Sequence, residues 1–90
     1  QLYNSYKMKI KKLGASKTLL QFSDNKLLDE IFVSYETPVA ARLKNGDCIR
    51  TEENHSRTTQ KQITQYFSWV KDKSKIKNVS QSYLDNLLGA

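Results

Sequence analysis

The chain has 90 residues, a formal net charge of +6 at pH 7, 38% apolar residues and 27% charged residues. This length suits one small domain and leaves no room for a separate cofactor-binding domain. The apolar content is too high for a disordered chain, and no apolar run approaches the roughly 20 residues of a membrane span. One cysteine and one histidine exclude an internal disulfide and a usual structural zinc site. We therefore expect a cytoplasmic protein of the cell interior that needs neither cofactor nor metal.

The positive charge is concentrated at the two ends of the chain. Residues 1–13 contain four lysines and no acidic residue, residues 14–55 have a net charge of −2, and residues 56–90 have a net charge of +4. A basic protein favours anionic partners such as nucleic acid, acidic proteins or an anionic membrane face. The same charge also keeps a small domain in solution, so both interpretations are open.

The first half of the chain has the patterns of β-strands. Residues 6–13 alternate apolar side chains with lysines, which predicts a half-buried strand. Residues 17–22 and 31–35 are rich in apolar, β-branched and aromatic residues and predict two further strands. Pro38 has no amide hydrogen, so we expect it at a strand start, an edge or a bulge.

Residues 39–43 and 48–52 predict a hairpin around Asn45-Gly46. A three-residue loop, with Gly46 in the left-handed conformation, places Ala41 opposite Ile49. A two-residue loop would instead place Ala41 opposite Arg50 and mix charge into the apolar face. The longer loop sorts the side chains into an apolar face of Val39, Ala41, Leu43 and Ile49 and a basic face of Arg42, Lys44 and Arg50.

The second half of the chain predicts two helices. Thr59 and Gln62 fit a capping box, and apolar residues from Ile63 to Val70 recur at the spacing of one helical face, which predicts a helix over 59–70. Residues 71–77 are typical of a basic connector. A second helix, capped by Ser80 or Ser82 and ending near Gly89, is too short to be stable alone and must dock on the body or on a partner.

These elements predict an α+β fold. The sheet is expected to be twisted and antiparallel, with four to five strands packed by one amphipathic helix, plus a short C-terminal helix. Residues 1–77 would form a single domain with its basic connector, and residues 78–90 would form the C-terminal helix. We expect the 59–70 helix to cover the apolar face of the sheet and leave the basic face open to solvent.

The lysines of the first strand are the clearest binding signal. The strand rise places alternate lysines about 7 Å apart, where they could follow a phosphate backbone. Lysines on an edge strand also prevent aggregation between sheets, and this alternative explains the same residues. Exposed tyrosines such as Tyr3, Tyr6 or Tyr35 could stack on bases, although Tyr6 and Tyr35 also suit a core. The predicted nucleic-acid contacts are Lys7, Lys9, Lys11, Arg42, Lys44, Arg50, Lys71, Lys73, Lys75 and Lys77.

No group of residues in the sequence has the spacing of a catalytic site. His55 is the only histidine, and Glu52 and Glu53 beside it match no arrangement that orients an acid and a base. Cys48 follows a turn and has no neighbour that would lower its pKa. The three glycines are isolated, so no phosphate-binding loop is present. We therefore predict a protein that is not an enzyme.

Two segments resemble a known domain. The segment Ser34-Tyr35-Glu36-Thr37-Pro38-Val39-Ala40-Ala41, followed by Arg50-Thr51-Glu52 and Ser56-Arg57-Thr58-Thr59, is similar to a small uncharacterised domain of bacteriophage and mobile-element proteins. The similarity covers about residues 12–70 and departs at His55 and Gln62, where the pattern has Trp and His. The resemblance implies a phage-like origin and an α+β unit, and it implies no reaction.

The sequence thus favours a small phage or mobile-element binding protein that contacts nucleic acid through a basic sheet face. The alternative is a phage-encoded inhibitor, of the anti-defence or host-takeover type, that binds an acidic host protein. In that case the C-terminal helix would insert its apolar side into a groove of the partner. The residues predicted for this contact are Tyr83, Leu84, Leu87 and Leu88.

Overall fold

The structure, a computed structural model, describes residues 8–88. Six strands and two helices lie within this range, together with a short 3₁₀ turn at Lys73–Lys75. Neither helix in the described range is long and apolar enough to cross a bilayer. The elements in chain order are β1 (Met8–Gly14), β2 (Lys17–Phe22), β3 (Leu28–Ser34), β4 (Thr37–Leu43), β5 (Cys48–Thr51), α1 (Arg57–Tyr66), β6 (Ile76–Val79) and α2 (Gln81–Leu87).

The strands form one sheet whose spatial order follows the chain, from β1 to β6. Neighbouring strands are antiparallel from β1 to β5, whereas β6 runs parallel to β5. A parallel neighbour needs a crossover connection, and the segment that contains α1 provides it. The α+β class is confirmed, but the sheet is mixed and has one strand more than predicted. The additional strand, β6, begins inside the segment 71–77 that was predicted as a connector.

The predicted register of the β4–β5 hairpin is confirmed. Ala41 lies opposite Ile49, and the amide of Leu43 donates to the carbonyl oxygen of Asp47 at 2.8 Å. Three residues therefore form the loop, and Gly46 has a φ of 95°, which is the left-handed conformation that favours glycine. The register fixes which side chains of β4 and β5 share a face.

Both faces of the sheet are packed at its centre. One apolar cluster, here called the α2-side core, includes Leu84 of α2, and the other, the α1-side core, includes Ile63 and Phe67 beside α1. Full burial of each large apolar side chain stabilises the fold by about 1.5–3 kcal/mol. The α2-side core consists of Leu28, Ile31, Ala41, Leu43, Ile49 and Leu84, and the α1-side core of Phe32, Val39, Ala40, Cys48, Ile63 and Phe67.

The prediction that α1 covers the apolar face and leaves the basic face open is wrong. Ala41, Leu43 and Ile49 belong to the core under α2, whereas Val39 belongs to the core under α1. Val39 is the extra residue of a bulge, because Phe32 pairs with Ala40 and Val33 pairs with Pro38. A bulge inserts one residue, so Val39 lies on the opposite face from Ala41 and Leu43. Arg42 and Arg50 lie on the face opposite Ala41 and Ile49, as predicted, but this is the face that α1 covers.

Helix α1 begins at Arg57 after Ser56, whose hydroxyl accepts the amide N–H of Thr59 at 3.1 Å. The predicted capping box of Thr59 and Gln62 is not formed, because both side chains are buried and turn toward the sheet. The hydroxyl of Ser34 in β3 lies 3.0 Å from Thr59 Oγ1 and donates to Gln62 Oε1 at 2.6 Å. The amide of Gln62 donates to the hydroxyl of Ser16 at 2.8 Å. This buried network joins α1 to the β1–β2 turn and to the end of β3.

Helix α2 begins after Ser80, which is one of the two predicted caps. The hydroxyl of Ser80 accepts the amide N–H of Tyr83. Leu84 is 0% exposed and packs against β4 and β5. The second helix therefore docks on the body of this chain. The predicted ending at Gly89 lies outside the described residues.

Candidate nucleic-acid interface

Arg42 and Arg50, which the sequence placed on an open basic face, lie beside α1. Arg50 is half-buried between Ala40 of β4 and Asn78 of β6 in the register of the sheet. Its guanidinium donates from Nη2 to Gln60 Oε1 of α1 at 2.7 Å and from Nε to the carbonyl oxygen of Thr51 at 3.2 Å. These bonds fix Arg50 against the helix and turn it away from an open sheet surface.

Arg42 and Lys44 are neutralised by acidic neighbours. Arg42 Nε lies 3.3 Å from Asp29 Oδ2, and Lys44 Nζ lies 3.0 Å from Asp29 Oδ1. The bond from Lys44, with the nearby charge of Arg42, lowers the pKa of Asp29 below its usual 3.8. The Arg42 guanidinium also lies 5.9 Å from the ring centroid of Trp69, an aromatic–cation contact on the α1 side. Both cations therefore serve contacts within the domain.

A buried carboxylate lies at the centre of this charged group. Glu30 is 6% exposed and receives the hydroxyl of Tyr66 at 2.5 Å and the amide of Gln21 at 3.3 Å. Arg42 Nη2 lies 3.7 Å from Glu30 Oε1. Burial, followed by the bond to Glu30, raises the pKa of Tyr66 well above its usual value, so the phenol remains a donor. The hydrogen bonds satisfy the buried carboxylate of Glu30 within the domain, so this group of residues stabilises the fold and does not offer the carboxylate to a ligand.

Among the described residues, two lysines of the predicted basic connector contact other groups of the domain, and two do not. Lys73 donates to the carbonyl oxygens of Phe67, at 2.8 Å, and of Val70, beyond the C-terminal end of α1. Lys77 lies 3.4 Å from Asp47 in an ion pair between largely exposed side chains. Lys71 and Lys75 are exposed. The segment therefore presents two of its four predicted contacts without a carboxylate or carbonyl partner among the described residues.

The lysines of β1 are exposed at the edge of the sheet that the described residues form. Lys9, Lys11 and Lys12 are all exposed, and Lys9 and Lys11 share the α1 side because they pair with Gln21 and Leu19. Residues 8–22, which form the β1–β2 hairpin, contain four lysines and no acidic residue. Lys7, like Tyr3 and Tyr6, lies outside the described residues. This hairpin is the most basic part of the described sheet.

The turn between β3 and β4 places an aromatic side chain next to this hairpin. Tyr35 is 61% exposed, and its φ of 57° is left-handed, which is strained for a residue with a side chain. Its amide donates to the carbonyl oxygen of Ser16 in the β1–β2 turn at 2.7 Å. Tyr35, Lys12 and Glu36 contribute to the lining of one open depression of about 480 Å³. An exposed ring and an exposed cation therefore lie side by side at this end of the sheet.

The chain matches the family of unknown function DUF8033 over residues 8–86. It belongs to this family. No curated protein and no solved structure matches the chain. The family description assigns no activity to the DUF8033 domain, and the phage or mobile-element origin stays a prediction.

The residues predicted to contact a protein through α2 do not form one exposed face of the DUF8033 domain. Leu84 is fully buried, and Leu87 is half-buried against the α2-side core. Tyr83 and Leu88 are 41% and 44% exposed, so they alone of the four present substantial surface to a partner. Most of the apolar side of α2 is used to cover the sheet.

His55 and Cys48 take part in the hydrogen bonding and the packing of the domain. His55 Nε2 lies 2.9 Å from Gln81 Oε1, and Gln81 donates to the carbonyl oxygen of Pro38 at 2.7 Å, which ties the loop before α1 to α2 and β4. Cys48 is 6% exposed, and burial raises the pKa of its thiol. Cys48 therefore lacks the exposed, activated environment of a nucleophile.

Several residues that organise the domain were not recognised in the sequence. Glu30 stands among apolar residues in β3, and a carboxylate in an apolar run is a signal of a buried polar partner. Its partner Tyr66 was recognised only as part of an apolar helical face. Tyr35, in contrast, was named as a candidate either for base stacking or for the core, and the turn composition around Glu36 and Pro38 favoured the exposed alternative.

Proposed function

We propose that this domain is a small, non-enzymatic module that binds single-stranded nucleic acid through the β1–β2 hairpin and the Tyr35 turn. The contacts are Lys9, Lys11 and Lys12 of β1 together with Tyr35, and Lys7 would extend the same row along the sequence. The observation that carries the proposal is the exposed tyrosine ring beside an exposed lysine at the end of an acid-free basic hairpin.

The charge of the hairpin supports an electrostatic contact. Three exposed lysines in four successive positions project on both faces of an edge strand, so a flexible polyanion can meet them from the side of the sheet. Within the described residues, the other predicted cations near the sheet centre already contact acidic or amide groups of the domain. The contact region is therefore narrower than the sequence predicted and lies at the edge of the sheet.

The exposed ring supports a preference for single strands. Unpaired bases can stack on an exposed aromatic ring, and such stacking tolerates any base sequence. A duplex offers phosphates but no free base faces, so it would use only the lysines. Glu36 beside Tyr35 repels phosphates, and its replacement by glutamine should increase affinity.

The test is fluorescence anisotropy with labelled 20-nucleotide single-stranded DNA, single-stranded RNA and duplex DNA. Three phosphate contacts on a single strand predict a slope of log affinity against log salt of about −2, or roughly a twentyfold loss between about 50 and 200 mM salt. Tighter binding of either single strand than of the duplex is expected. Absence of binding at about 50 mM salt would overturn the proposal.

The matched variants separate the hairpin from general charge. The triple variant Lys9→Gln, Lys11→Gln, Lys12→Gln should lower affinity by roughly tenfold or more. The control triple variant Lys26→Gln, Lys61→Gln, Lys75→Gln removes the same charge from exposed positions elsewhere. Equal losses in the two triple variants would show that only net charge matters and would contradict the assignment to the hairpin.

One observation favours the alternative of a protein partner. Ile10 is 66% exposed between the two lysines of the edge strand, and phosphates would make no use of it. An acidic, extended segment of a host protein could pair with β1, setting carboxylates against the lysines and an apolar side chain against Ile10. Ile10→Ser should abolish such binding and leave nucleic-acid binding unchanged, so this variant distinguishes the two candidates.

A further inference from the structure

A second concave surface lies at the opposite edge of the sheet from β1, between α1 and the parallel pair β5–β6. Its volume is about 340 Å³. Small-molecule sites measure about 300–1,000 Å³, so the cleft is at the lower end of that range. Because β6 is the last strand of the described sheet, the cleft is not continued by a further strand on that side.

The floor of the cleft is apolar. Ile63 of α1 and Phe67, the residue after α1, are 0% and 2% exposed, so Ile76 of β6, which is half-buried, supplies most of the apolar surface that a ligand could reach. A ring-sized apolar group placed there would displace water from Ile76.

The rim of the cleft is basic and polar, and no acidic residue lines it. Arg50 has five N–H donors, of which its bonds to Gln60 and Thr51 use two. Lys73 has three donors, and its two carbonyl partners use two of them. Both cations are thus held in place by the domain and retain free donors.

Two neutral residues complete the rim. The hydroxyl of Thr64 donates to the carbonyl oxygen of Gln60 at 3.1 Å, so it offers a ligand only lone pairs. Asn78, opposite Arg50 in the register of β5 and β6, is exposed and supplies an amide donor. The free donors at the rim therefore come from two cations and one amide, which is a pattern that selects an anionic acceptor.

We propose that the cleft binds a small organic anion, a carboxylate or a phosphate ester attached to a ring-sized apolar body. The apolar body lies on Ile76, beside Ile63 and Phe67, and the anionic group accepts from Arg50, Lys73 and Asn78. Arg50 is the principal contact, since charge-assisted bonds from a positioned guanidinium are stronger than those between neutral groups. This site is separate from the β1 hairpin and independent of nucleic-acid binding.

The test is an NMR titration of the full chain with four probes: phenyl phosphate, benzoate, the neutral benzyl alcohol and inorganic phosphate. Phenyl phosphate or benzoate should shift the methyl signals of Ile63 and Ile76 and the ring signals of Phe67, and the comparison of the two shows which anionic group fits better. Benzyl alcohol and inorganic phosphate should each bind at least tenfold more weakly. If either of these two probes bound as tightly as the anionic ring compounds, the proposal would be overturned, because the anionic group or the apolar body would then contribute nothing to affinity.

Two variants test whether the ligand binds in this cleft. Arg50→Met should lower the affinity for the better anion by roughly tenfold or more, whereas Lys61→Met, which removes an exposed cation of α1 outside the cleft, should not. Thr64→Phe adds a ring at an exposed helical position of the rim and should block binding even if Arg50→Met proves unstable. Unchanged binding in Thr64→Phe would overturn the assignment. Both cleft variants should bind single-stranded DNA as the unmodified chain does. The cleft proposal and the nucleic-acid proposal can therefore be rejected separately.

Discussion

The hydroxyl of Tyr66 in α1 donates to Oε2 of Glu30 in β3 across 2.5 Å, in the interior between the helix and the sheet. The ring of Tyr66 also stacks on Phe32, with centroids 4.8 Å apart and planes inclined by 10°. One side chain thus packs on the sheet and partners a buried carboxylate.

Tyr66→Phe should lower the free energy of unfolding by about 1.5–3 kcal/mol, because it keeps the ring stack and removes one hydrogen bond to a buried charged group. Urea unfolding at pH 7 measures this. Tyr83→Phe is the matched control, since Tyr83 is 41% exposed and its change should stay within about 0.5 kcal/mol. Equal effects of the two changes would contradict the structural role of the Tyr66–Glu30 bond.

The raised pKa of Tyr66 predicts a loss of stability in alkali. Above the usual value of 10.0, the unfolded chain releases the phenolic proton while the folded domain retains it. The folded state then binds more protons, so stability falls as the pH rises above 10.0. Unfolding midpoints between pH 9 and 11 should fall less steeply in Tyr66→Phe than in the unmodified chain.

Asp29 predicts the opposite dependence in acid. Its pKa is lowered in the folded domain by Lys44 and Arg42, so near and below 3.8 the unfolded chain takes up the proton first. The stabilisation is fully present above 3.8 and is lost as the pH falls through the folded value. Asp29→Asn should therefore reduce the slope of stability against pH below about pH 4. An unchanged slope in Asp29→Asn would contradict the lowered pKa.

Leu84→Ala tests whether α2 is part of the folded body. The side chain is 0% exposed, and its truncation should cost about 2–5 kcal/mol of unfolding free energy. Leu88→Ala removes the same atoms at a 44% exposed position and should cost far less. Thermal or urea unfolding measures both. Similar costs would show that α2 does not cover the sheet in solution. Deletion of residues 78–90 should unfold the domain, since it removes Leu84 and half of β6.

Tyr35→Gly separates the strain of the turn from the function proposed for its ring. Glycine adopts a φ of 57° without steric cost, so stability should be unchanged or higher by up to about 1 kcal/mol. The affinity for single-stranded nucleic acid should nevertheless fall, because the stacking surface is lost. A fall in stability together with unchanged binding would contradict both the strain and the stacking role.

The parts of the fold that depend on local pattern could be predicted from the sequence. The composition of residues 17–22 and the Asn45-Gly46 loop predicted the correct strands and register, because neighbouring strands of a hairpin are set by residues close in the chain. Ser80 was correctly expected as a cap, since the cap is formed by a side chain and an amide three residues apart.

The rest depended on contacts distant in sequence. β6 has only four residues, with exposed Lys77 and Asn78 between half-buried Ile76 and Val79, so its pattern is too short to distinguish from a connector. It is a strand because β5 offers it a parallel partner. The bulge at Val39 placed that residue on the α1 side, away from Ala41, Leu43 and Ile49. Which helix covers which face depended on distant contacts as well. Because α1 covers the face of Arg42 and Arg50, the candidate interface moved to the sheet edge.

The order of the strands also bears on how the domain assembles. Strands β2 to β5 each pair antiparallel with the strand just before them, so the sheet can grow by successive hairpins as the chain is synthesised. β6 can join only after residues 52–75 have been made, and α2 only after that. Until then Ala41 and Ile49 would face water on one side, and the nascent sheet would be a substrate for chaperones or for aggregation. Residues 76–88, about the last sixth of the described chain, therefore determine when the apolar face of the sheet is covered.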